Sequence, residues 1–169
     1  IAVKLINDIS GLKYDKKSIS ILKKYNTPFV IHHIQGIPTT MQINPKYKNV
    51  LFDIYDFFEE KIKYLRSKGI KHKHIIVDPG IGFGKKLKHN MKLISNVSIF
   101  HSLGFPILLG VSRKRFIKDI SGNNDNDKRL GGTISASLFA MMQGVQILRI
   151  HDVNDVIQGA KVFNELIKD

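Results

Sequence analysis

The sequence contains no cysteine. Disulfides, thiolate metal sites and a cysteine nucleophile are excluded at once, and the redox chemistry fits a reducing cytoplasm. Long hydrophobic runs are missing too. No apolar stretch approaches the roughly 20 residues of a membrane span, and no basic-then-apolar leader precedes a small-residue cleavage site. A soluble, cytoplasmic protein with no membrane partner is expected. Proline is sparse, five in 169 residues, and no Pro/Ser/Gly-rich linker divides the chain, so residues 1–169 are expected to form one domain. Acidic charge is also scarce: 14 Asp and Glu against 27 Lys and Arg give a formal net charge of +13. The lysines (Lys4, Lys13, Lys16, Lys17, Lys23, Lys24, Lys46, Lys48) are scattered and not interleaved with aromatics. That pattern argues against a nucleic-acid face and leaves a field that favours an anionic substrate.

What is present is a strict alternation of short β-rich runs and helical patterns. The runs Ile1 to Ile6, Phe29 to Ile34, Ile75 to Asp78, Ile107 to Val111 and Gln146 to Asp152 read as strands. Between them, helical periodicity predicts helices over Asp15 to Tyr25, Leu51 to Leu65 with Gly69 as its stop, Asn90 to Leu103, Ile134 to Gln143 with Thr133 as N-cap, and Asn154 to Lys168. Such alternation implies parallel strands joined by crossover helices, in an open doubly wound sheet or a closed β/α barrel. Polar residues follow the C-terminal end of every strand: Asn7, His33, Asp78, Lys114, and Arg149 with His151. A barrel brings all strand ends to one mouth, whereas an open sheet uses only its switch point. The expected class is therefore α/β, a partial (β/α)8 TIM barrel of five parallel strand-helix units. The chain starts at Ile1 inside a strand-like run, so it is expected to begin mid-fold.

The stretch Ile75-Ile76-Val77-Asp78-Pro79-Gly80-Ile81-Gly82-Phe83-Gly84-Lys85 delivers a carboxylate from a buried strand to a tight turn. A turn-capping role for Asp78 is the competing explanation. The glycines miss the spacing of a dinucleotide or phosphate loop. Leu108, Gly110, Ser112 and Lys114 share one side if the strand conformation persists, which leaves room at Gly110 beneath Lys114. Arg149 and His151 also share a face and suit an anion clamp, against the alternative of a structural ion pair. His32 and His33 are weaker candidates, one of which faces the helices. No zinc set emerges from the histidines.

Five segments, Asn7-Asp8-Ile9-Ser10-Gly11, His33-Ile34-Gln35-Gly36 with Pro38 and Met41-Gln42, Asp78 to Lys85, Ser112-Arg113-Lys114 and Arg149-Ile150-His151-Asp152, together resemble the dihydropteroate synthase family. The resemblance runs through the whole chain in family order. It implies a barrel transferase of folate biosynthesis that condenses 6-hydroxymethyl-7,8-dihydropterin pyrophosphate with p-aminobenzoate, uses Mg2+ and releases pyrophosphate. It further implies that Asn7 and Asp78 bind the pterin edge, that Ile9, Ile34, Phe83, Leu108 and Gly110 wall the slot, and that Lys114, Arg149 and His151 are catalytic, the last two holding pyrophosphate. A homodimer through late helices is implied as well, with no metal ligand in this chain, since the family's magnesium asparagine belongs to three N-terminal strands with no counterpart here. His32 and Ile34 stand where the family often has methionine, a change expected to alter packing but not polarity. A methyltetrahydrofolate-binding methyltransferase domain and a non-catalytic pterin- or anion-binding fragment are the alternatives.

Overall fold

A computed structural model of the chain describes residues 3–122 and 124–168. Ile1 and Ala2 of the expected first strand, Asn123 of the polar loop and Asp169 lie outside the described residues. The strands are β1 (Ile6–Asp8), β2 (Phe29–His32), β3 (Ile75–Asp78), β4 (Leu108–Leu109) and β5 (Ile147–Leu148). The helices are α1 (Ser18–Tyr25), α2 (Val50–Ser67), α3 (Leu87–Ser95), α4 (Arg115–Ser121), α5 (Leu130–Met142) and α6 (Val153–Leu166). Every strand pairing is parallel. β1, β2 and β3 form one sheet and β4 and β5 another, joined by the parallel bridge between Val77 and Ile107 and by Val77 N–H donating to the Pro106 carbonyl. The spatial order is thus the chain order, with no switch point. That is the order of a barrel sector and not of a doubly wound sheet.

Period-two geometry sorts each strand into two faces. Phe29, Ile31, Ile75, Val77, Ile107, Leu109 and Val111 join Ile54, Phe58, Leu65, Leu93, Val97 and Phe100 in one hydrophobic core between sheet and helices. Phe58 and Phe100 meet edge to face at 5.7 Å. Val30, His32, Asp78 and Leu108, of the opposite parity, are buried outside that core and form the inner face.

The long α2 matches its periodicity: Asn49 caps it by accepting the Leu51 N–H at 3.1 Å, and Val50, Leu51, Ile54, Phe58, Ile62 and Leu65 are buried. Elsewhere tertiary structure overrides local pattern. β1 starts at Ile6, and Val3 to Leu5 are exposed. Asp15 is not the cap of α1; its carboxylate accepts the Lys17 N–H in a turn before the helix. The helix expected from Asn90 to Leu103 breaks at Asn96 into α3 and a 3-10 segment, Val97–Leu103, and Asn90 lies inside α3 instead of capping it. α4 was not anticipated. Thr133 is buried inside α5, where its Oγ1 accepts the Arg113 N–H, so it ties a loop to the helix and does not start it. On α6 only Val156 is buried, and Ile157 and Leu166 are exposed.

Gly80 holds the turn after β3. Its φ is +70°, and a Cβ there would lie 2.0 Å from the His33 carbonyl oxygen. Gly131, in α5, has nothing within 4 Å of such a Cβ. Gly80→Ala is expected to destabilise the full-length protein by at least about 1–3 kcal/mol, whereas Gly131→Ala should stabilise it by about 0.5–1 kcal/mol. Chemical denaturation checks both, and equal midpoints for the two variants would contradict the turn geometry.

Candidate active site

The site is built where β2 and β3 end. The register aligns His32 with Asp78, so their side chains neighbour each other on the inner face. Asp78 is 3% exposed. Its Oδ1 accepts the Gly80 N–H at 2.8 Å, and its Oδ2 lies 3.7 Å from His32 Nε2. The turn-capping role and a buried, inward-facing carboxylate therefore coexist, one oxygen serving each.

Beyond the turn, Gly82 N–H donates to Asn90 Oδ1 at 2.8 Å, and Gln42 Nε2 donates to the Gly82 carbonyl. These bonds anchor the loop that carries Phe83. Lys114 Nζ lies 4.3 Å from the centroid of the Phe83 ring and donates to the Ile81 carbonyl at 2.8 Å. Burial brings Lys114 down to about 8, with Asp78 opposing and Arg149 adding to the fall. Lys85 is 3% exposed, and its Nζ meets His33 Nδ1 at 3.0 Å and the Phe83 carbonyl at 2.9 Å. Burial lowers Lys85 to about 7 and His33 to about 2, so His33 is a neutral acceptor.

At the ends of β4 and β5, Ser112 Oγ lies 2.8 Å from His151 Nδ1 and accepts the His151 backbone N–H at 3.2 Å. The ring is thereby oriented with Nε2 left for a ligand. Gly110 faces Arg149, whose Nε would stand 3.5 Å from an added Cβ, so the room expected beneath Lys114 is taken by the guanidinium. Arg149 is exposed, and among the described residues no carboxylate pairs with it. The structural pair belongs instead to Arg113, at φ +55°, which grips Asp152 through Nε at 3.0 Å and Nη2, and reaches Asp127 through Nη1. Those hydrogen bonds hold the Asp152 carboxyl below its usual range.

Of the anticipated residues, Asp78, Phe83 and Lys114 converge, and Ser112, Lys114 and His151 line a shared concavity with Arg113 and Asp127. Leu108 on β4 and Gly110 just past its end are buried. Ile9 and Ile34 wall a different concavity with Tyr14, Ile37 and Pro38. Asn7 is exposed and aligned with Val30, one layer below the level of His32 and Asp78. Lys85, Asn90 and Arg113, present in the motifs and helix pattern, carry contacts in the site that the sequence does not assign to them. A buried lysine after a glycine loop carries no local signal, whereas Asp152, directly after His151, was a readable partner for a basic residue. The expectation that His32 leaves polarity unchanged is overturned, because its ring lies beside the carboxylate.

Among the described residues no three His, Asp or Glu side chains converge on one point, and Asp78 has Lys85 and Lys114 for charged neighbours. These residues do not fit a divalent cation.

A buried carboxylate, loop lysines and an oriented histidine at the C-terminal ends of parallel strands define the ligand-binding mouth of a β/α-barrel enzyme. The chain belongs to the pterin binding enzyme family, whose sequence profile matches residues 2–151. It is 39% identical over 153 residues to the dihydropteroate synthase of Haemophilus influenzae, covering 90% of this chain and 55% of that one. With the Escherichia coli enzyme it shares 35% over 158 residues, 94% of this chain and 55% of that one. The crystal structure of Yersinia pestis dihydropteroate synthase with a sulfonamide drug superposes with a TM-score of 0.93 at 33% identity, covering 98% of this chain and 60% of that one. The Thermus thermophilus enzyme in complex with 4-aminobenzoate gives a TM-score of 0.90 at 35% identity, covering 96% and 62%. The chain thus spans little more than half the length of the curated relatives it matches.

Lys85 yields a pH prediction. Its folded pKa of about 7 lies below the ordinary 10.5, so between these values the unfolded chain binds more protons than the folded one, and stability rises with pH. The full-length protein should gain stability from pH 7 to 10 relative to Lys85→Met, read as the difference in denaturation midpoints. Parallel profiles would place Lys85 in water.

Proposed function

We propose that the chain forms the pterin-binding part of a dihydropteroate synthase, a transferase of folate biosynthesis. In this reading 6-hydroxymethyl-7,8-dihydropterin pyrophosphate and p-aminobenzoate are the substrates, and 7,8-dihydropteroate and pyrophosphate the products. The observation that carries it is the carboxylate of Asp78, buried on the inner face, with one oxygen accepting the Gly80 N–H and the other in no hydrogen bond, His32 Nε2 standing 3.7 Å away. A carboxylate is the acceptor that an amino-pyrimidinone edge needs, because that edge presents N–H donors side by side. Relatives solved with 4-aminobenzoate and with 6HMPPP lend further support.

The remaining residues take roles that follow from their chemistry. Phe83 and Leu108 offer flat and apolar walls for a fused ring. Lys114, on the Phe83 face, places a cation where the substrates meet. Arg149, unpaired by any carboxylate among the described residues, and His151, oriented by Ser112, suit the pyrophosphate. In the reaction the methylene carbon–oxygen bond breaks and its electron pair leaves on pyrophosphate. The arylamine nitrogen then bonds to that carbon and gives up a proton. Arg149 and His151 stabilise the charge that grows on the leaving group. The family resemblance adds Asn7, Ile9, Ile34 and Gly110 to this binding set, although Ile9 and Ile34 wall a separate concavity and the space at Gly110 is filled by the Arg149 guanidinium.

Magnesium enters only as a companion of pyrophosphate, and no residue here is assigned to it. Exposed Phe139, Met142 and Val162 on α5 and α6 support a homodimer through the late helices. No helix among the described residues is long and apolar enough to cross a membrane, in keeping with a cytoplasmic enzyme.

In the full-length protein, Asp78→Asn should weaken pterin binding by about 1–3 kcal/mol, because an amide donor would face ring donors. Calorimetry with the pterin checks this, and unchanged affinity would remove Asp78 from the pocket. Arg149→Ala should slow the single turnover that expels pyrophosphate while leaving binding of the pterin without its pyrophosphate intact. An unaffected rate would refute the clamp.

A further inference from the structure

Ser112 and Lys114 stand two residues apart, and an extended chain would point both to one side. They reach different strand ends instead. Ser112 Oγ lies 2.8 Å from His151 Nδ1 after β5, while Lys114 Nζ donates to the Ile81 carbonyl after β3 at 2.8 Å. Arg113 between them has the left-handed φ of +55°, which a residue with a side chain adopts only at a cost. Its guanidinium, on Asp152 and Asp127, does not fix that backbone, because a long side chain can keep its grip while the main chain rotates. The two flanking peptide planes do. The Arg113 N–H donates to Thr133 Oγ1 at 3.0 Å, and the Arg113 carbonyl accepts from Arg129 Nη1 at 2.9 Å.

Arg129, directly before α5, is 7% exposed, and no carboxylate pairs with it among the described residues. Its Nη2 donates to the Asn124 carbonyl at 2.9 Å, and its Nε is buried without an acceptor. Burying a guanidinium on carbonyls alone opposes folding, and an apolar side chain of similar length would avoid that cost. A group kept in spite of it beside a site is expected where function and stability conflict.

We propose that Arg129 is a positioning residue for the reaction: by fixing the peptide plane between Arg113 and Lys114, it holds the kink that sends Lys114 towards Phe83 and Ser112 towards His151. The proposal rests on the dihydropteroate synthase reading above and deepens it. Through Asn124 the same guanidinium fixes the loop that walls the concavity lined by Ser112, Lys114, Asp127 and His151. The hydrogen bond that orients Asp78 comes from Gly80 and not from this arrangement. Disturbing Arg129 therefore reaches the leaving-group side of the mouth and spares the carboxylate assigned to the pterin edge.

The test compares the full-length protein with its Arg129→Met, Thr133→Val and Asp78→Asn variants. Arg129→Met should slow the single turnover of the two substrates by about tenfold to a hundredfold, the effect of misplacing reacting groups by up to about 1 Å. Its calorimetric affinity for 6-hydroxymethyl-7,8-dihydropterin, which lacks the pyrophosphate, should be unchanged. Thr133→Val, nearly isosteric, frees the other peptide plane of Arg113 and should show the same split between rate and affinity. In 15N-histidine-labelled protein without substrate, the Nδ1 resonance of His151, set by Ser112, should move in both variants. A single turnover at the unaltered rate in Arg129→Met, a loss of pterin affinity in step with rate, or an unmoved His151 resonance would overturn the proposal. Should Arg129→Met fail to fold, Thr133→Val decides by the same readouts. If Asp78→Asn binds the pterin normally, the substrate reading itself falls, and the His151 resonance still judges the positioning; if Asp78→Asn binds weakly and neither other variant slows, only this inference falls.

Discussion

The architecture of the site depends on how close β2 and β3 come where they end. His33 N–H donates to the Asp78 carbonyl at 2.9 Å, which carries the parallel ladder one residue past the last strand position. The chain must then turn with no space to spare, because Gly80 passes directly over the His33 carbonyl. Only a residue without a Cβ fits, and its left-handed backbone aims its own N–H back at Asp78. The orientation of the central carboxylate is therefore a property of the backbone, and a ligand need not immobilise it on arrival. Gly84 repeats the device against the Gln35 carbonyl, at φ +64°.

Around that carboxylate the protein gathers more positive than negative charge. Lys85 and Lys114 are both drawn out of water, and each is held down by burial more than Asp78 holds it up. Burying an ammonium without full compensation opposes folding. An anionic ligand relieves that opposition, so the same groups that weaken the empty pocket attract what fills it. The overall charge of +13 reinforces this at long range.

The sequence made some of this legible and hid the rest for identifiable reasons. β3 and α2 were readable because their patterns are long or unmixed: four consecutive residues ending in Asp78, and an eighteen-residue helix with Asn49 at its head. α4 was not, since its seven residues carry only Phe116 and Ile117 as buried apolar positions, too few to show a period. Thr133 mimicked a cap because caps and tertiary hydrogen bonds use the same hydroxyl. Asp78, Lys114 and His151 were found as polar residues following apolar runs. His32 was undervalued because two adjacent histidines look alike until parity and register decide which faces inward. Lys85 gives no sign of its partner, which lies 52 residues away, and Asp152 shows as a carboxylate that needs a base without showing that Arg113, 39 residues earlier, supplies it.

The grip of Arg113 on Asp152 and Asp127 ties together three segments that are far apart along the chain. Ser112 and Lys114 flank Arg113, and His151 precedes Asp152, so the groups assigned to the ring and to its leaving group sit on either side of one ion pair. Arg129 closes the assembly by donating to the Arg113 and Asn124 carbonyls. Mechanically this is a truss: displacing the surface loop around Asp127 loads the strut that spaces Lys114 from His151. Sequence change in that loop is then not silent, since Asp127 bears on Arg113 directly and Asn124 bears on it through Arg129.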